Sequence, residues 1–156
     1  MSGKVVFVPH CVLNPVVRDG SSQIKEVIKL FAESGIGIVQ LPCPEIEYNG
    51  KLVKGIRCNK KYREYCKKIS MKVLKDVKNY IRADYKVLGI LGVESSNTCG
   101  VHQVNNGKKN VPGKGILMKE LESGMQKENF QVPIVATNFG NMFSTVEKMS
   151  LLIKNS

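Results

Sequence analysis

The chain has no tryptophan, and its aromatic content is only 6%. RNA-recognition domains lay bases on aromatic platforms, and no stacking motif of that kind is visible. No apolar run approaches the ~20 residues that a membrane-spanning helix needs. No leader pattern opens the sequence either, since Met1–Lys4 runs straight into a short apolar stretch. The expectation is a cytoplasmic protein without a membrane partner, acting as a monomer or homodimer. Acidic residues are scarce: 13 Asp and Glu stand against 24 Lys and Arg, a net charge of +11. The excess is almost entirely lysine, and a field of that sign favours polyanions or phosphate-bearing substrates. Internal repeats, low-complexity tracts and linkers are also missing. The 156 residues therefore read as one domain, 1–156, large enough to hide roughly 70% of the unfolded chain's surface.

What is there alternates strand and helix. Lys4–Pro9 is a buried strand, followed by a loop from His10 to Gly20. Ser21 or Ser22 is a good N-cap for a helix with Ile24, Val27, Ile28 and Phe31 on one face, stopped by Gly35. A second strand, Ile36–Leu41, ends in Pro42-Cys43-Pro44-Glu45, where two prolines forbid helix and fix a stiff turn. Glu47–Asn59 reads as loop, with a small hairpin at Asn49-Gly50. Asn59 caps a long helix through Arg82, with Tyr62, Cys66, Ile69, Val73, Val77 and Tyr80 on one stripe. The third strand is Tyr85–Val93, and a polar loop, Glu94–Gly100, follows it. His102–Gly115 is Gly- and Asn-rich and reads as a lid or excursion. A helix to Lys127, a strand Val132–Thr137 and a helix Met142–Ile153 complete the chain. The expected fold is α/β: an open parallel sheet of about four strands in the order 2-1-3-4, Rossmann-like, with helices on both faces.

Five cysteines, an odd number with no secretory signal, make disulfides a poor reading and favour metal or catalytic roles. Cys66 lies on an apolar helix stripe and reads as core; Cys58, in a basic loop, reads as a spare thiol. Cys11, Cys43 and Cys99 differ, because each follows a predicted strand and is fenced by Pro, Asn, Gly or Ser. Ligands of open α/β sheets collect beyond the carboxyl ends of the strands, where strand order reverses. The three thiols could therefore meet at one edge and form an incomplete soft-metal cage, for an iron–sulfur cluster or for zinc with one position open. No C-x-x-C spacing chooses between these. His10 or His102 could complete a zinc tetrahedron, and His10 beside Cys11 could instead activate a nucleophilic thiol.

The ordered set H-C-V-L-N…R-D-G at 10–20, L-P-C-P-E at 41–45, E-S-S-N-T-C-G at 94–100 and G-K-G-I-L at 113–117 resembles the thiouracil desulfidase family. The resemblance covers most of the chain. It implies a 4Fe–4S cluster held by Cys11, Cys43 and Cys99, with a fourth iron left free of protein ligands. It also implies that Glu45 and Ser96 are catalytic, and that a thiolated pyrimidine exchanges its C2 sulfur for oxygen with release of sulfide. The chemistry is coherent: a thiocarbonyl sulfur is soft and suits such an iron, and Glu45, tethered by Pro44, can act as general base. Ser96 can donate a hydrogen bond or relay a proton. Arg18 and Asn97 are the candidate substrate contacts, and Glu94 could orient one of these groups.

Within the resemblance, Leu-Asn replaces the family's usual Leu-Gly after Cys11, no Gly-Gly follows Glu45, and an aromatic-glycine run after Gly100 is missing. The substrate stays open between a free base, a nucleotide and a thiouridine in transfer RNA. The alternative function is a basic RNA-binding module with a structural metal site and no turnover, whose affinity would fall steeply with salt.

Overall fold

The structure, a computed structural model, describes residues 3–18, 25–53 and 55–156. In chain order the elements are β1 (Lys4–Pro9), α1 (His10–Leu13), a 3₁₀ turn (Pro15–Val17), α2 (Lys25–Glu33), β2 (Gly37–Leu41), α3 (Pro44–Asn49) and α4 (Lys60–Arg82). There follow β3 (Lys86–Val93), β4 (Gln103–Asn105), β5 (Asn110–Pro112), α5 (Ile116–Lys127), β6 (Ile134–Thr137) and α6 (Met142–Lys154). The main sheet is parallel, in the order β2-β1-β3-β6. That is the expected 2-1-3-4 order, with β6 as the fourth parallel strand. The N-cap at Ser21 or Ser22 and the apolar position Ile24 lie outside the described residues. Among the described residues no helix is long and apolar enough to cross a membrane.

Alternation along β1 distributes the core to both faces of the sheet. Val5 and Phe7 join the layer under α4 and α5, with Val73, Val77, Leu117 and Leu121. Val6 and Val8 join the layer under α2 and α6, with Val27, Phe31 and Met149. β3 would fall out of step were it not for a bulge. Its register with β1 moves from Val5–Val87 to Phe7–Ile90, two residues on one strand against three on the other. The extra residue puts Val87 and Ile90 on one face and Leu88, Leu91 and Val93 on the other. Gly89 sits at this irregularity, where a Cβ would meet the Pro133 carbonyl oxygen at 2.9 Å.

Helix boundaries follow from local chemistry. The Asn59 Oδ1 accepts the Tyr62 N–H at 2.8 Å, which caps α4, and Tyr62, Cys66, Ile69, Val73 and Val77 form its buried stripe. Gly35 (φ +68°) ends the α2 region as expected.

Three expectations are corrected. The segment after β1 is not all loop, because His10–Leu13 forms a helical turn continued by the 3₁₀ turn at Pro15–Val17. Pro42-Cys43-Pro44 does not exclude helix: α3 starts at Pro44, the first helical position, where proline's missing N–H costs nothing. That helix takes up the first part of the expected Glu47–Asn59 loop and ends at Gly50 (φ +81°), so no hairpin forms at Asn49-Gly50. The His102–Gly115 stretch, expected as a lid or excursion, carries the antiparallel hairpin β4–β5, with Val104 opposite Val111.

Candidate metal centre and cleft

Three strand ends deliver the three cysteines to one edge of the sheet. Cys11 is the second residue of α1, directly after β1; Cys43 is the N-cap residue of α3, after β2; Cys99 lies in the loop after β3. Their charges act on one another. Burial pushes the Cys43 thiol up to about 11, and the neighbouring Cys11 and Glu45 push it the same way. Nearby N–H groups of Ile46 and Glu45 work in the opposite direction. The Cys99 thiol is pushed well above the usual range, first by burial and then by Cys11, Cys43 and Glu45. Three thiolates this close repel one another in a low-dielectric site. They lose their protons together only when a cationic centre compensates.

Three cysteine thiols are a soft donor set. A zinc ion about 2.3 Å from each sulfur would need the thiols nearly in contact. Among the described residues, no three His, Cys, Asp or Glu side chains close on one such point. The exposed His102 Nδ1 is 3.1 Å from Glu94 Oε2, so that ring is engaged by the carboxylate.

A cleft of about 690 Å³ opens beside this edge, lined by Cys11, Cys99, Arg18, Glu45, Ser96 and Asn97 among others. Cys43 is not part of the lining, although it stands within charge reach of both lining cysteines. Glu45 is buried, with 7% of its surface exposed. Its Oε1 accepts the Val53 N–H at 3.1 Å. Burial raises its pKa above the usual carboxylate value, against the Val53 N–H, the Thr98 hydroxyl and the Arg18 charge, which favour the ionised form. A buried carboxyl whose pKa is held up in a cleft is a better base than a surface one.

The loop carrying Cys99 is locked by backbone. Its carbonyl accepts the Val93 N–H at 2.7 Å and its N–H donates to Ser96 Oγ at 3.0 Å. Ser96 Oγ also accepts the Thr98 N–H at 3.2 Å, so the serine organises the ligand loop and keeps its own hydrogen free to donate. The carbonyls of Gly100, Asn97 and Thr98 accept the N–H groups of Gly115, Ile116 and Leu117. These are orphan donors at the start of α5, where no side chain caps the helix. The Asn97 amide spans two neighbours, donating to the Ile56 carbonyl at 3.0 Å and accepting the Asn105 N–H at 2.8 Å. Thr98 Oγ1 shares a buried 2.7 Å hydrogen bond with Tyr62 on α4. Tyr62 reads from sequence as a core residue, and its polar end was not legible there.

Gly100 sits where the loop's own backbone crowds in. A Cβ there would lie 2.2 Å from the Gln103 oxygen and 2.6 Å from that of Ser96, so the glycine lets the loop fold on itself. A Cβ at Gly115 would meet Thr98 O at 2.4 Å and Cys99 N at 2.7 Å. All of these partners are backbone atoms that cannot step aside. Gly100→Ala and Gly115→Ala should each destabilise the fold by about 2–3 kcal/mol and lower Tm by roughly 5–10 °C. Calorimetry checks this; unchanged Tm values would show that the loop yields.

Glu94 closes the same loop. Its Oε1 accepts the N–H groups of Val101 and His102, both at 2.8 Å. Burial alone would raise its pKa, but the His102 and Val101 N–H bonds and the His102 ring outweigh it and leave the group below the usual range. A depressed folded pKa adds stability above the unfolded value of about 4.3, and that contribution is lost as pH falls through the folded value. Glu94→Gln should therefore flatten the acid limb of a plot of urea midpoint against pH. Parallel limbs would deny the carboxylate this part.

No family model matches the chain. It is 30% identical over 164 residues to the uncharacterized protein MJ0003 of Methanocaldococcus jannaschii, an alignment covering 96% of this chain and 99% of that one. The chain belongs to that protein's family. Its fold is also that of a solved [4Fe–4S]-dependent thiouracil desulfidase, TudS (DUF523Vcz), with a TM-score of 0.54. That match covers 95% of this chain and 99% of the other at 16% identity. At such identity the likeness establishes a common fold, and the fold is one that an enzyme uses.

Proposed function

We propose that this chain is a single-domain, iron–sulfur-dependent desulfidase that replaces the C2 sulfur of a thiolated pyrimidine by oxygen and releases sulfide. The reading rests on one observation above the others. Three cysteines from three adjacent parallel strands reach one sheet edge, beside a cleft that also holds a buried glutamate. The fold shared with a desulfidase and the ordered motifs support it. In this reading Cys11, Cys43 and Cys99 hold a 4Fe–4S cluster, which when bound would supply a soft Lewis acid for the thiocarbonyl sulfur.

The chain's own residues do the rest. Glu45 takes a proton from the water that attacks the carbon of the C=S bond, helped by its raised pKa. Water supplies the oxygen and both protons, and sulfur leaves as hydrogen sulfide, so the carbon keeps its oxidation state. Ser96 has its oxygen engaged by two backbone N–H groups and donates its remaining hydrogen to the ring. Arg18 stacks over Phe139, its guanidinium carbon 4.2 Å from the ring centre, and faces substrate from the cleft wall. Asn97 contributes chiefly by tying the ligand loop to the hairpin. The Cys11 thiolate serves as ligand and not as a nucleophile activated by His10.

The test is a panel of thiouracil, a thiouridine nucleotide and thiolated transfer RNA, offered anaerobically to reconstituted protein while sulfide is measured. Sulfide from at least one of them supports the reading. Absence of sulfide from all, with RNA binding that weakens by about 0.7 log units per log unit of salt for each phosphate neutralised, would favour the RNA-binding module instead.

A further inference from the structure

The positive charge of the chain is not spread evenly. Nine cations on α4 stand against two carboxylates, Glu64 and Asp76, so this one helix holds +7 of the chain's +11. Helical spacing sorts the cations onto one side. Lys60, Lys67, Lys75, Lys78 and Arg82 follow steps of seven, eight, three and four residues, and Lys61, Lys68 and Lys72 run beside them. Lys78 is half-buried and the other eight cations are exposed. On the opposite side, the stripe from Tyr62 to Val77 is buried in the core. Among the described residues only Lys78 of the nine forms a salt bridge, with Glu128 beyond the end of α5. None of the nine lines the cleft beside the cysteines.

This charge works against the fold. Lys60, Lys61 and Arg63 crowd the start of the helix, where the dipole favours acidic residues and the first turn has none. Lys68 and Lys72 are like charges four residues apart, as are Lys78 and Arg82, and such pairs repel. A polyanion laid along the face would relieve both. Its chemistry narrows the partner. At 1.5 Å per residue the cations span about 33 Å, close to one turn of a nucleic-acid duplex at about 34–36 Å. No aromatic residue lies among them to stack on a base: Tyr65 and Tyr80 fall at the half-buried margin, engaged with Glu47 and Phe7. The exposed apolar residues of α4, Met71 and Ile81, stand far apart, so no apolar strip is there to enter a lipid surface. With α3 and α5 packed along its sides, α4 offers a broad face and not a protruding rod. That shape suits the wide, shallow minor groove of A-form RNA better than the deep major groove of DNA.

We infer that the outer face of α4 is a docking surface for double-helical RNA, held through its phosphates and not through base edges. The cleft takes no part in this contact, and the inference does not depend on the desulfidase reading. Lys127 of α5 extends the face across a trough of about 420 Å³ between the two helices. Lys67, Lys75 and Lys78 line that trough from α4, with Glu120 and the paired Glu128 on the far side.

The experiment is fluorescence anisotropy of the full chain with a labelled RNA duplex of about 16 base pairs, the DNA duplex of the same sequence and single-stranded RNA. Salt is varied between about 50 and 200 mM. Two triple variants remove the same charge from different faces. One is Lys68→Gln/Lys72→Gln/Lys75→Gln on α4, and the other is Lys25→Gln/Lys29→Gln/Lys148→Gln on α2 and α6, all at exposed positions. The α4 variant should bind the RNA duplex about 100-fold more weakly at about 0.1 M salt, with a salt slope lower by about 2–3, since each phosphate contact contributes about 0.9. Its Tm should hold or rise, because the Lys68–Lys72 repulsion is gone. The α2–α6 variant should stay within about threefold of wild type. Equal weakening in both variants would show a diffuse attraction by net charge and overturn the inference. A DNA duplex or single strand bound as tightly as the RNA duplex overturns it too, as does a preference for phosphatidylserine vesicles. Sulfide assays on the same samples keep the two proposals apart: RNA binding without sulfide leaves the docking face and removes the desulfidase, and sulfide without RNA binding does the reverse.

Discussion

Alanine at Cys11, Cys43 or Cys99 is expected to empty the site. Protein reconstituted anaerobically should be brown and carry about four irons per chain. Each of the three variants should lose the colour, fall below about one iron per chain and release no sulfide. The argument is geometric and electrostatic together. Each sulfur comes from a different strand end, so no neighbouring thiol can slide into a vacated position without moving a whole element. The two remaining thiols, both in a partly desolvated site, no longer compensate the cluster's charge. Loss of metal should also cost stability, because a ligand bound only by the native state adds to unfolding free energy.

The other two cysteines are the controls. Cys58 donates only weak contacts, to the Ile56 carbonyl at 3.9 Å and the Asn97 carbonyl at 3.8 Å. Cys66 is fully buried in the small cluster with Ile56 and Tyr62, its thiol pushed up to about 12 by burial. Cys58→Ala and Cys66→Ala should keep the iron, the latter at some cost in packing. Colourless wild-type protein after careful reconstitution, or stoichiometric zinc in place of iron, would sink the cluster assignment.

The sheet was legible in the sequence because its strands are written in apolar runs. Val5–Val8 and Val87–Val93 are buried on both faces, and such runs bounded by turn residues leave few alternatives to a parallel strand. The cysteines were legible for the same reason: once the strand ends are known, the residues just beyond them are known too. The β4–β5 hairpin escaped because its strands are three residues each, too short for period-two alternation to register. It is held by bonds to Asn97 and Ser95 that only the fold creates.

Other misses have a local origin. Reading Pro42-Cys43-Pro44 as a stiff turn weighed proline against helix without asking where in a helix it falls; at the first position it initiates α3 and aims Glu45 into the cleft. Ser96 was visible as a polar loop residue, but its service as acceptor for the Cys99 N–H depends on a tight turn with Ser95 at φ +72°. The bond between Thr98 and Tyr62 joins residues 36 positions apart. No spacing rule connects a loop hydroxyl to a tyrosine on a helix stripe.

Glu45→Gln should separate chemistry from scaffold. The amide keeps an oxygen to accept the Val53 N–H, matches the carboxylate in size and leaves the three cysteines untouched, so iron content and Tm should stay near wild type. What it loses is the capacity to take a proton from water. The expected result is a fall in kcat of about 10²–10⁴-fold with little change in KM, the range general-base catalysis supplies. Glu45→Ala removes the acceptor as well, leaving the Val53 N–H unpaired beside a new cavity, and should add a stability loss of about 1–3 kcal/mol. A purely structural role predicts a different pair of outcomes: full activity in the glutamine variant and damage confined to the alanine one. Retention of kcat within about threefold in Glu45→Gln would move the base elsewhere in the cleft. Glu94 could not easily inherit the task, because both its oxygens are already engaged by Val101 and His102. The assignment of Glu45 therefore stands or falls on this one substitution, measured on protein whose iron content matches wild type.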